Sequence, residues 1–242
     1  MDWLTPDFQV LCITAVSLAM LHTLIGPDHY LPFIALGKSR NWSTAKTLKV
    51  TGLFGLGHAA GSVVLGFIGI ALGTALNALV NFESWRADLA AWALTAFGLC
   101  YLVFSLRKAL RGGRRAHVHM HVHADGTVHS HEHHHREASH LHPHERPEGR
   151  SLAYWSLFFV FVLGPCEALI PLLMYPASQN NIAGVWLVTG LFVTVTLLTM
   201  LSAVWLGMTG LKRVRGAGLE RYSGVIAGSA IACCGAAMLA GF

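Results

Sequence analysis

Long apolar runs set the pattern of this chain. Mainly hydrophobic stretches recur at about 8–36, 47–79, 86–108, 151–175, 183–210 and 222–242. A helix needs about 20 apolar residues to cross the hydrocarbon core of a bilayer, so each run predicts one span. Polar and charged residues gather in the short connections and in one long stretch, 109–150, that lacks apolar periodicity. The expected fold class is all-α: a polytopic membrane protein with six transmembrane helices. The N-terminus shows neither a basic leader nor a small-residue cleavage site, and no signal peptide is read there.

The two halves echo each other. "IGPDHYLPF" (25–33) returns as "LGPCEALIPLL" (163–173), with Gly26-Pro27 matching Gly164-Pro165 at an offset of 138 residues. The same offset carries Thr51-Gly52-Leu53-Phe54 onto Thr189-Gly190-Leu191-Phe192. Three spans per half oblige the copies to run in opposite directions, which predicts two inverted three-helix repeats. Transporters built this way place their substrate site near the midplane, where broken helices of the two halves meet. Proline removes a backbone donor and glycine loosens the chain, so each Gly-Pro pair predicts such a break, reinforced by Pro32 and Pro171. The first repeat is assigned to 1–108, a His-rich loop to 109–150 and the second repeat to 151–242.

Composition agrees with this picture. Hydrophobic residues make up 54% of the chain and charged ones only 12%. The net charge of +5 would by itself admit a nucleic-acid partner, but its placement argues against one. Lys38, Arg40, Lys46 and Lys49 flank the first connection, eight Lys and Arg lie from Arg107 to Arg150, and Lys212, Arg213, Arg215 and Arg221 flank the fifth connection. Arg86, read as part of the second connection beside Glu83 and Asp88, stands alone. Sixteen of 17 basic residues thus fall on one side, which the positive-inside rule makes the cytoplasm, with both termini outside. The expected location is a bacterial-type cytoplasmic (inner) membrane. The five cysteines all lie in expected spans, where four serve as small apolar fillers and Cys166 stands apart.

Six polar side chains within the apolar runs require a reason: His22, Asp28, His29, His58, Cys166 and Glu167. A charge at mid-membrane costs ~2.5–3.5 kcal/mol on insertion scales, so such groups face a cavity or one another. His22 and His29 share a face of an ideal helix but stand about 10 Å apart along it, too far to share an ion. Unwinding at Gly26-Pro27 brings them together; otherwise they are successive stations on a path. His58 lies in "GLGHAAG" (55–61), where Gly57 and Gly61 admit a close neighbouring helix. Imidazole, carboxylate and thiolate together suit nickel, cobalt or zinc rather than magnesium or calcium.

The stretch "HVHMHVHADGTVHSHEHHHREASHLHPHE" (117–145) holds twelve of the 15 histidines: His117, His119, His121, His123, His129, His131, His133, His134, His135, His140, His142 and His144. It cannot bury enough apolar surface to fold alone and is expected to be disordered without metal. Clustered imidazoles bind late first-row metals, more weakly as they protonate near pH 6. Placed in the cytoplasm, the loop is suited to buffer, sense or deliver metal.

"HTLIGPDH", "LGHAAG" and "GPCEALIP" resemble the nickel/cobalt transporter superfamily, especially its NicO and UreH-like branch, itself related to the CcdA/DsbD transmembrane domain. The resemblance covers nearly the whole chain. In the nickel/cobalt permeases four residues separate the first His from Asp-His; here five separate His22 from Asp28-His29, as in UreH-like members. The resemblance implies His22, Asp28 and His29 as ligands or selectivity residues, His58 contributing from the second span, and Glu167 as the counterpart in the second repeat. It implies transport of Ni2+ or Co2+, with Zn2+ also open, in either direction. No enzymatic activity and no resident cofactor are expected. No GxxxxGK[ST] loop occurs, so energy would come from an ion gradient, the membrane potential or a partner. Expected partners are transition-metal ions, the lipid bilayer, and a cytoplasmic metallochaperone or a second copy of the chain. The main alternative is a CcdA-like thiol–disulfide electron carrier. That chemistry needs facing cysteines in the two repeats, and Asp28 occupies the position that pairs with Cys166. A membrane metal sensor is a third reading, to which paired midplane breaks contribute nothing.

Overall fold

The computed structural model describes residues 6–73, 76–111, 117–122, 128–133, 148–164, 166, 168–211 and 217–241. Helix α1 (Pro6–Ile25) ends at Gly26, a 3-10 turn follows at Pro27–His29, and α2 (Leu31–Ser39) resumes. Helices α3 (Thr44–Ala71) and α4 (Leu76–Arg111) complete the first half. The second half consists of α5 (Glu148–Leu163), α6 (Leu169–Ser178), α7 (Ile182–Leu211) and α8 (Ala217–Leu239). Between the halves, β1 (His117–Val122) pairs antiparallel with β2 (Val128–His133).

The bundle is all-helical. Helices α1, α3, α4, α7 and α8 are long and apolar enough to cross a membrane. Large side chains such as Ile13, Trp92, Phe104, Trp186 and Leu206 lie exposed on its outer surface. Apolar surface on this scale marks a membrane or interaction face in a folded protein and is compatible with an integral membrane protein. The fourth apolar run is divided: α5 stops at Leu163, and α6, with ten residues and hence about 15 Å of rise, is too short to cross alone.

One sequence expectation changes. The second connection lies at 72–75, not at 80–85: Gly73 takes a positive φ of 61° and turns the chain there. Residues 80–85, expected between two spans, lie inside α4, which buries Glu83 and Arg86. Within the His-rich stretch, β1 and β2 set His117 opposite His133, His119 opposite His131 and His121 opposite His129. His123, His134, His135, His140, His142 and His144 lie outside the described residues.

Local signals explain the helix ends. Ser43 caps α3 by accepting from the Lys46 N–H at 3.2 Å. The Asn181 side chain accepts from the Gly184 N–H at 2.9 Å at the start of α7. Asn41 and Asn180, with φ of 52° and 53°, close the two short helices α2 and α6.

Small residues set the close packing of α4 on α8. A side chain on Gly98 would meet the backbone of Ala232, and one on Gly228 would meet the Leu102 backbone. Backbone cannot step aside as a flexible side chain can, so helix separation here depends on these two glycines. Gly228→Leu is expected to destabilise the protein by ~3 kcal/mol or more, beyond the usual cost of overpacking. Thermal unfolding in detergent checks this; an unchanged midpoint would show that the contact does not matter.

Candidate metal centre

The first break is built from its own residues. Pro27 has no N–H to continue α1, and the Gly26 N–H makes the last regular bond, to the His22 carbonyl at 3.0 Å. The chain then tightens into the 3-10 turn, with the His29 N–H reaching the Gly26 carbonyl at 3.2 Å. The Tyr30 hydroxyl donates to the Leu24 carbonyl at 3.2 Å, satisfying an acceptor freed by the break. This unwinding does what an unbroken helix cannot. It brings the His22 and His29 rings to 4.7 Å between centroids, edge to face.

The second break draws on the first half for its partners. Pro165 has no N–H for the Phe161 carbonyl, which is approached instead by His58 Nδ1 at 3.1 Å, beside the Gly164 N–H. Gly57 and Gly61 of α3 allow this approach. A side chain on Gly57 would meet Val162 and Phe158, and one on Gly61 would meet the Val162 carbonyl. The close neighbour expected for the "GLGHAAG" segment is therefore α5. His58 then lies 5.1 Å from His29 between ring centroids, again edge to face.

Hydrogen bonding fixes which nitrogen His29 and His58 present. The Phe161 carbonyl can only accept, so His58 Nδ1 carries the proton and Nε2 the lone pair. His29 Nδ1 lies 3.1 Å from the Gly26 carbonyl and 3.2 Å from Asp28 Oδ1, both acceptors, so its Nε2 is likewise the basic nitrogen. The Nε2 atoms of His22, His29 and His58 are all buried, and none finds a hydrogen-bond partner among the described residues. Buried polar atoms are nearly always paired, so three unpartnered nitrogens in contacting rings need an explanation. A metal ion supplies one.

Cys166 completes the cluster. It is fully buried, and its Sγ and a ring nitrogen from each of His22 and His58 all lie within 4.8 Å of one another. Nitrogen at ~2.1 Å and sulfur at ~2.3 Å from a tetrahedral ion stand about 3.6 Å apart. The set thus needs to close by only about 1 Å to grip an ion. Asp28 stands behind His29, on the Nδ1 side, in the place where carboxylates orient metal-binding imidazoles.

Of the residues singled out in the sequence, His22, Asp28, His29, His58 and Cys166 come together here, while Glu167 lies outside the described residues. Sequence reasoning missed Ser62, Glu83 and Arg86. Ser62 is one turn beyond His58 and accepts from the Cys166 N–H at 2.9 Å. Arg86 was visible only as the one basic residue away from the basic end. It also overlooked the tight fit of both break glycines: a side chain on Gly26 would meet His29 Nδ1 at 2.7 Å, and one on Gly164 would meet His58 Nδ1 at 2.9 Å. No protein-family model, curated protein or solved structure matches this chain.

Proposed function

We propose that the chain is an integral membrane transporter of divalent transition-metal ions, nickel or cobalt foremost, with alternating access between two inverted three-helix repeats. The observation that carries this reading is the gathering at two helix breaks of His22, His58 and Cys166, whose ligand atoms lie within 4.8 Å of one another, with His29 packed against both imidazoles and the Nε2 atoms of all three rings buried and open. A site of imidazoles and a sulfur selects late first-row metals over magnesium and calcium. His22 and His29 approach it from one half and Cys166 from the other, so relative motion of the halves would open and close the ligand set. An ion held this way can leave when the halves part.

The packing pattern supports the repeat. Helix α1 packs on α7 as α5 packs on α3; α2 on α8 as α6 on α4; and α3 on α6 as α7 on α2. Helices α3 and α7 pack together, as do α4 and α8. Exchanging the halves leaves these pairs unchanged, as expected of two copies related by a two-fold axis. The thiol–disulfide alternative needs a second sulfur beside Cys166; the groups around its Sγ are imidazoles, and all five cysteines are unpaired.

The test is metal flux in oriented proteoliposomes, with nickel, cobalt, zinc and manganese in competition. Saturable nickel or cobalt flux, resistant to manganese, is expected, and its sidedness gives the direction. Absence of flux for every metal would refute the reading. Deleting 117–145, which removes the ribbon and its histidines, is expected to shift apparent affinity or regulation while leaving measurable flux in the same assay. Complete loss in folded protein would place the loop within the pathway.

A further inference from the structure

Glu83 and Arg86 form an ion pair sealed inside the bundle, with Nη1 and Oε1 2.7 Å apart and side chains 1% and 8% exposed. Surface pairs at this spacing are common and weak, but a buried pair in an apolar bundle carries a desolvation cost that calls for additional bonds. Arg86 makes one: Nη2 donates to the Val162 carbonyl at 3.1 Å.

That carbonyl has a particular place in the second break. In a continuous helix, Val162 would accept from the N–H four residues on, which belongs to Cys166. The chain parts at Gly164-Pro165 instead, and both halves of the lost bond receive partners from the first half of the protein. The acceptor at Val162 goes to Arg86, and the donor at Cys166 goes to Ser62 Oγ at 2.9 Å. Ser62 and Arg86 come from α3 and α4, and Gly61 leaves the space in which the guanidinium reaches α5.

We infer that Arg86, anchored by Glu83, and Ser62 form a clamp that holds the second break unwound and so presents Cys166 to the imidazoles. Arg86 is a positioning residue: it lies on the Val162 side and acts on the thiol through the backbone. A guanidinium suits the task because its separate nitrogens address the carboxylate and the carbonyl at once, whereas an ammonium is a single point. The importance of the thiol's position rests on the metal reading above; the clamp itself is tested without metal.

The experiment uses full-length protein retaining Cys166 as its one cysteine, with Cys12, Cys100, Cys233 and Cys234 replaced by alanine. The rate of N-ethylmaleimide labelling in native membranes is followed by mass spectrometry. Because Arg86→Met alone leaves Glu83 without its cation, the main variant is the neutral double Glu83→Gln/Arg86→Met. Losing charge-assisted bonds to a backbone break is expected to raise the Cys166 labelling rate by about tenfold or more, through local opening. Arg86→Lys is expected to give an intermediate rate. A sibling protein retaining only Cys234, buried in α8, is expected to label at the same rate with and without the double substitution. An unchanged or slower Cys166 rate, or an equal rise at both cysteines, would overturn the clamp. Cobalt added to the unsubstituted Cys166 protein separates the two readings. Failure to protect the thiol counts against the metal site, while the effect of the double variant still decides the clamp.

Discussion

His29→Ala is expected to abolish nickel and cobalt flux while leaving a folded, monodisperse protein. His29 is the middle ring of the three, 4.7 Å from His22 and 5.1 Å from His58 between centroids, so on the proposed reading its loss removes one of three open imidazole nitrogens and the ring that packs between the other two. Changes to groups behind a metal ligand already cost 10–100-fold in affinity or activity, so losing the ligand itself should exceed about 100-fold. Folding should survive, because the ring's bonds are to neighbours at Gly26 and Asp28 rather than across the bundle. The assay is initial uptake into proteoliposomes at matched protein density. Normal uptake would mean that the open Nε2 atoms serve some other purpose.

Asp28→Ala should weaken cobalt binding by about 10–100-fold without changing which nitrogens the rings present. The carboxylate accepts from His29 Nδ1 at 3.2 Å, which holds the ring in place and raises the basicity of Nε2. The Gly26 carbonyl still fixes the tautomer when Asp28 is lost, so the ring keeps its proton on Nδ1 but is held less firmly. Asp28→Asn keeps an oxygen acceptor without the charge and should fall between the wild type and Asp28→Ala. Absorption titration with cobalt in detergent gives the affinities. Wild-type affinity for Asp28→Ala would show that the carboxylate does not serve the site.

The comparison of sequence with structure depends on range. Apolar runs and Gly-Pro pairs are local signals: they marked the five long apolar helices and the end of α1 at Ile25, while the fourth run divides into α5 and α6. The separation of His22 and His29 was legible as a choice between helix and unwound turn, and Pro27 decides it for the turn. The start of α4 misled because Asn81, Glu83, Arg86 and Asp88 interrupt the apolar pattern as a connection would, while the feature that favours a helix there is an ion pair three residues apart. The partners of the second break were not legible at all. Ser62 and Arg86 meet Cys166 and Val162 across 104 and 76 residues of chain, and nothing local to either segment announces that meeting.

The interleaved packing has a consequence for biogenesis. Helix α1 finds its helical partners, α6 and α7, in the second half of the described bundle, and α2 and α4 both pack against α8. The early helices therefore lack these partners, and their histidines the cover that the second half provides, until the second half has been made. A polypeptide truncated after the first half would leave the faces of α1, α2 and α4 that pack on α6, α7 and α8 uncovered, the kind of exposed apolar surface that invites misassembly.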